Sequence, residues 1–207
     1  MILRKNIDKA DITTLPTVTF DGRIIVVQSS SEAEKAFRYL ADQPLVGIDT
    51  ETRPTFSKGH AYSVSLLQVS TADTCFLVRL NLIGMTPAVR DFLQSERTVK
   101  IGLSLKDDFA RLHKKGDFTA RGYIELQDYV SSLGIEAQSL QKIYALVFGQ
   151  RISKSQRLSN WEADVLSDAQ KAYAATDAWA CLNLYNRLEE LKASNQLIIE
   201  DNPTPSL

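Results

Sequence analysis

Residues 45–52, LVGIDTET, follow the chain-breaking Pro44 and open with four apolar or small residues before two acids. A short apolar run bounded in this way reads as a central strand. On a strand, Asp49 and Glu51 lie one residue apart and leave the same face. Working outward, Ile24–Gln28 (IIVVQ) reads as a strand, and EAEKAFRYLA as a helix with Ser31 and Glu34 as its capping box. Downstream, YSVSLLQVS and TCFLVRL read as two strands of a hairpin across the turn Thr71-Ala72-Asp73. Residues 86–95 then read as a helix, VKIGL as a strand, LKDDFARLHKKG as a helix ending at Gly116, and YIEL as a short strand. From Gln127 the pattern is helical almost to the end. Its longest helix is expected from about Ser167, its N-cap, to Leu191. Hairpin strands followed by alternating helix and strand imply an α/β domain, a mixed sheet with helices on its faces. The expected limits are a polar, irregular N-terminal extension over 1–22, one domain over 23–195, and a loose C-terminal tail over 196–207.

Composition narrows the setting. At 207 residues with 44% hydrophobic content, the chain suits one domain with a sizeable core. Lys+Arg is 24 against Asp+Glu 25, so global charge gives no push toward nucleic acid. It does not exclude it, because bound metal ions bring their own positive charge. Cys75 and Cys181 are isolated and form no C-x-x-C, so the default setting is reducing and cytoplasmic, with both thiols expected in the core. No apolar run approaches membrane-spanning length, and no export signal is read.

Three acidic motifs carry the chemistry. Taken alone, Asp49-x-Glu51 fits an exposed strand end with solvated acids better than a metal site. Asp108, with Asp107 beside it, opens a helical stretch, where acids are favoured by the helix dipole in any case. Tyr173 and Asp177 stand at i and i+4 and share a helix face among Ala172, Ala174, Ala175, Ala178 and Ala180. That small-residue surround leaves room for close approach, yet a packed Tyr facing a neighbouring acid fits as well. Together the motifs supply four carboxylates with no His or Cys, a donor set for hard cations such as Mg²⁺ or Mn²⁺. Such cations serve phosphoryl chemistry. Lys154, Gln156, Arg157, Asn160 and Trp161 fall between helices and precede the third motif. Lys154 and Arg157 are even candidates for phosphate contact, and Trp161 reads as a core anchor. Thr50, between the two acids, and Phe56, after them, are further candidate substrate contacts, with His60 a weaker one.

In this combination the chain resembles the DEDD superfamily of 3′→5′ exonucleases, which has a ribonuclease H-like fold. Asp49-Thr50-Glu51 matches its first motif, GLSLKDDFARL its second, and Tyr173-x-x-x-Asp177 its third. The spacing from Gly102 and to Leu112 favours Asp108 over Asp107. The other subclass has His five residues before the last Asp; Ala172 occupies that position, so the likeness is to the Tyr subclass. The match runs from about Pro44 to Leu188. KSQRLSNWEADVLSDAQKAYAATDAW resembles the branch of Werner-type exonuclease domains and ribonuclease D. Helicase motifs and a Gly-Lys-Ser/Thr phosphate loop do not occur. Nor does the chain extend to ribonuclease D's C-terminal helical domain, so substrate grip is expected to fall to the catalytic domain.

The resemblance implies two divalent ions about 4 Å apart. One would be held by Asp49, Glu51 and Asp177, the other by Asp49 and Asp108. It also implies that Tyr173 orients the attacking water, and that a nucleic-acid 3′ end, single-stranded or recessed, is cut to nucleoside 5′-monophosphates. Two rivals remain at this stage: a nucleic-acid- or protein-binding module of the same fold with reduced activity, and a phosphodiesterase acting on dinucleotides or at internal bonds.

Overall fold

A computed structural model of the chain describes residues 1–55 and 62–202. Phe56, His60 and residues 203–207 lie outside the described residues. The chain begins with β1 (Ile2–Arg4), α1 (Lys9–Thr14), β2 (Thr17–Val18), β3 (Arg23–Val27), α2 (Ser30–Leu40) and β4 (Leu45–Thr52). β5 (Val64–Ser70), β6 (Thr74–Val78), α3 (Leu80–Ile83), α4 (Pro87–Gln94), β7 (Val99–Gly102) and α5 (Leu105–Leu112) follow. The last third holds β8 (Tyr123–Glu125), α6 (Leu126–Ser132), α7 (Leu140–Phe148), β9 (Arg151–Ile152), α8 (Asp168–Ala193) and β10 (Ile198–Glu200).

Six strands form one sheet in the order β3-β6-β5-β4-β7-β8. β5 is antiparallel to both β4 and β6, while β3 joins β6, β7 joins β4 and β8 joins β7 in parallel. The expected mixed sheet flanked by helices is therefore present. Alternation along β4 decides what each face meets. Val46 and Ile48 enter an apolar cluster with Phe37 of α2, Phe92 of α4 and Phe109 of α5. Gly47, Asp49 and Glu51 leave the opposite face, where α8 lies.

α8 spans 26 residues across that face, and Ala174, Ala175 and Ala178 are fully buried on it. The approach is backbone to backbone. A Cβ built on Gly47 would stand 1.9 Å from the Ala178 carbonyl oxygen, so glycine lets the helix settle on the strand. This contact brings Asp177, the neighbour of Ala178, over β4 beside Asp49 and Glu51.

Several expectations are corrected. Residues 1–22 are not irregular: β1 pairs in parallel with β10, and β2 with β9. The loose tail expected over 196–207 is corrected at Ile198–Glu200, the strand that receives β1. The capping box of α2 is Ser29 with Glu32, not Ser31 with Glu34; Glu32 Oε2 also accepts from the Gln28 amide at 2.7 Å. After Gln127 the structure is mostly helical, and the segment at 153–167 lies between helices as read; β9 is the strand that the sequence reading did not include. Ser167 is the N-cap of α8, as expected. Among the described residues, no helix is long and apolar enough to cross a membrane.

Candidate active site

β4 and α8 build the centre of the site. One carboxylate oxygen from each of Asp49, Glu51 and Asp177 lies within 4.8 Å of the others. The first and third motifs, far apart in the chain, meet because Gly47 lets α8 approach β4. The register of β4 against β5 shifts between Glu51 and Thr52, so the regular pairing ends just as the second acid has been presented.

Asp108 comes from a third element and stands outside that triplet. It lies in the first turn of α5 and is only 7% exposed, whereas Asp107 is exposed. Thr50 donates its hydroxyl hydrogen to Asp108 Oδ1 at 2.8 Å, and Arg111 Nη2 lies 3.9 Å from the same oxygen. Thr50, expected among the substrate contacts, thus commits its hydrogen to the second motif. The entry to α5 is held by a residue that the sequence reading missed. Ser104 takes a left-handed conformation at φ 63°, and the Glu125 carboxylate accepts from the Ser104 amide at 2.9 Å and the Leu105 amide at 2.6 Å. A non-glycine residue in that region is costly, and the paired acceptor offsets the cost where Asp108 must be aimed.

Burial and mutual repulsion govern the charges. Burial is the first cause of every shift here. It raises Glu51 to about 9, Asp177 to about 7 and Asp108 to about 6, and carries Asp49 well above the usual carboxylate range. For Asp49 the charges of Asp108, Asp177 and Glu51 add to the rise. Countering this, Arg111 and Arg157 pull Glu51 down, and Tyr173 and Lys154 pull Asp177 down. The Tyr173 phenol is itself raised by burial and by the three nearby carboxylates, so it stays protonated. Such a cluster holds its full negative charge only beside compensating cations. An all-oxygen carboxylate set fits hard divalent ions, and these residues therefore fit the metal that the motifs imply.

The remaining candidates divide. Lys154 and Arg157 are exposed, and their charges reach Asp177 and Glu51 respectively, so both belong to the rim of the site. Trp161 is fully buried, its ring centroid 6.0 Å from that of Tyr173, as a core anchor would be. Cys75 and Cys181 are free and buried. A second residue missed from sequence is Gln68 of β5, which stands opposite Asp49 in the antiparallel pair. It is fully buried, and among the described residues neither polar atom of its amide has a hydrogen-bond partner. An amide inside the apolar run VSLLQVS is itself a signal, because buried polar groups are nearly always satisfied.

Comparison with known proteins gives the family and the fold. The family described as 3'-5' exonuclease matches residues 24–192 of the chain. The mouse protein named bifunctional 3'-5' exonuclease/ATP-dependent helicase WRN is 28% identical over 193 residues, covering 88% of this chain and 14% of its own length. An Arabidopsis thaliana 3'-5' exonuclease is 26% identical over 192 residues, covering 85% of this chain and 67% of its own length. The crystal structure of the Aedes aegypti Nibbler EXO domain superposes with a TM-score of 0.79 at 21% identity, covering 88% of this chain and 95% of that one, which shows the shared fold. This chain thus spans a small part of the mouse helicase–exonuclease and two thirds of the plant protein. On the match of the family to residues 24–192, the chain belongs to the 3'-5' exonuclease family.

Proposed function

We propose that the chain removes nucleotides one at a time from a nucleic-acid 3′ end by hydrolysis, releasing nucleoside 5′-monophosphates. The observation that carries this reading is the meeting of Asp49, Glu51 and Asp177 within 4.8 Å, with Asp108 and Tyr173 beside them. In this reading Asp49, Glu51 and Asp177 hold one divalent ion, Mg²⁺ or Mn²⁺, and Asp49 with Asp108 holds a second. Held there, such ions would supply the activation of a water and the stabilisation of the leaving 3′ oxygen. The protein's own groups do the rest. Thr50 fixes the Asp108 carboxylate. Tyr173, protonated throughout the neutral range, is a poor base, so its role is to orient the attacking water by hydrogen bonding. Lys154 and Arg157 receive phosphates at the rim.

The test is digestion of a 5′-labelled strand in Mn²⁺. A ladder shortening by one nucleotide from the 3′ end, with nucleoside 5′-monophosphate as the released product, is expected. Internal cuts or turnover of dinucleotides alone would move the assignment to another phosphodiesterase. Binding without hydrolysis would make the chain a binding module of this fold.

A further inference from the structure

A second groove lies on the side of the site formed by α1, α7 and the segment after β9. Its cavity is about 470 Å³, and Lys9, Lys142, Lys154 and Arg157 line it together with Ser139 and Gln141. Among the described residues, no acidic side chain lines it; Asp8 and Asp11, near Lys9 in sequence, are not among its walls. Among the described residues, none of the four cations forms an ion pair, and the Lys142 ammonium donates to Asn6 Oδ1 at 3.0 Å. The chain as a whole has 24 basic against 25 acidic residues, so this is a local segregation of charge. The groove also adjoins the site. Ser155, between Lys154 and Arg157 in sequence, also lines the neighbouring cavity that Tyr173 lines, while Lys9 and Lys142 come from α1 and α7.

We propose that this groove carries the sugar-phosphate backbone of the strand upstream of the 3′ terminal nucleotide, with Lys9 and Lys142 as phosphate contacts beyond the cleavage site. The proposal rests on the exonuclease reading and adds to it the substrate's path. Ammonium and guanidinium groups lining a groove with no aromatic side chain among the described residues suit phosphates and leave base identity unread. Strand grip of this kind is sequence-tolerant and strongly salt-dependent. It also gives a function to residues 1–22, whose α1 supplies Lys9.

The experiment measures binding of fluorescent single strands of 2 to 12 nucleotides by anisotropy in EDTA, where turnover cannot interfere. Wild type is compared with Lys9→Ala/Lys142→Ala and with Lys9→Glu, whose exposed position protects the fold. For the double variant, two lost phosphate contacts should lower the slope of log affinity against log salt by about 1.4. The same slope change corresponds to a loss of about 25-fold at 0.1 M salt relative to 1 M. The penalty should grow with strand length, and Lys9→Glu should weaken long strands in the same direction. An unchanged slope for the 12-mer, or a penalty independent of length, would overturn the path. Failure of the exonuclease reading would show separately, as intact strands after incubation of the wild type with Mn²⁺.

Discussion

At the scale of single residues, burial separates acids that sequence leaves side by side. Asp108 is buried and hydrogen-bonded by Thr50, while Asp107 is exposed. Asp108→Asn is therefore expected to lower single-turnover cleavage by roughly 10²-fold or more, and Asp107→Asn by less than about twofold. Loss in the Asp107 variant alone would reverse the assignment. Tyr173→Phe removes one hydroxyl and leaves the ring that packs near Trp161. Its expected cost is roughly 10²-fold in cleavage with Mn²⁺ affinity unchanged, since the carboxylates remain. Calorimetric titration beside single-turnover kinetics separates the two quantities; a collapse of Mn²⁺ binding would make Tyr173 a support for the ligands. The five motif residues are legible in the sequence because their types and spacing declare chemistry. Glu125 is not, and Gln68 only in part: its place in an apolar run signals a buried amide without showing what it faces. Each acts through a strand register or a turn that only the folded chain defines, Gln68 opposite Asp49 and Glu125 beneath Ser104.

At the scale of elements, the site depends on how closely α8 lies against β4. Gly47→Ala would drive a Cβ into the Ala178 carbonyl, a backbone atom that cannot rotate away. Separating helix and strand should cost about 1–3 kcal/mol in denaturant unfolding, as overpacking does. Cleavage should fall further than stability accounts for, because Asp177 rides on the displaced helix. Wild-type stability and rate in this variant would mean that the site does not need the close approach. The central strands and α8 are readable because apolar runs, periodicity and an N-cap mark them. The short strands are not. β1 and β2 have three and two residues, too few to show alternation, and their partners lie far along the chain.

At the scale of the whole molecule, the acidic centre opposes folding until cations neutralise it. Asp108, Asp177 and Glu51 carry folded pKa values of about 6, 7 and 9, above their ordinary values of 3.8, 3.8 and 4.5. Between the ordinary and the raised values the folded state holds protons that the unfolded chain has released. Stability from these groups is thus fully present below about pH 4 and is lost as pH rises through 6 to 9. Lys100 sets the upper edge of the window. Burial lowers it to about 8 from 10.5, so above pH 8 its loss of charge favours the folded state and works the other way. In EDTA, the melting temperature is expected to fall between pH 5 and 8. Asp177→Asn, which removes one buried charge, should flatten that fall and melt higher than wild type at pH 8. Mn²⁺ should reverse the trend in the wild type, adding about 2.7 kcal/mol at a concentration 100 times its Kd. The gain should be larger at pH 8 than at pH 5, because ions bind carboxylates that have lost their protons. Thermal melts at matched ionic strength, with and without Mn²⁺, test each part. A metal-free melting temperature that stays flat or rises from pH 5 to 8 would mean that the carboxylates are already compensated within the protein, and the argument for bound cations from buried charge would fail.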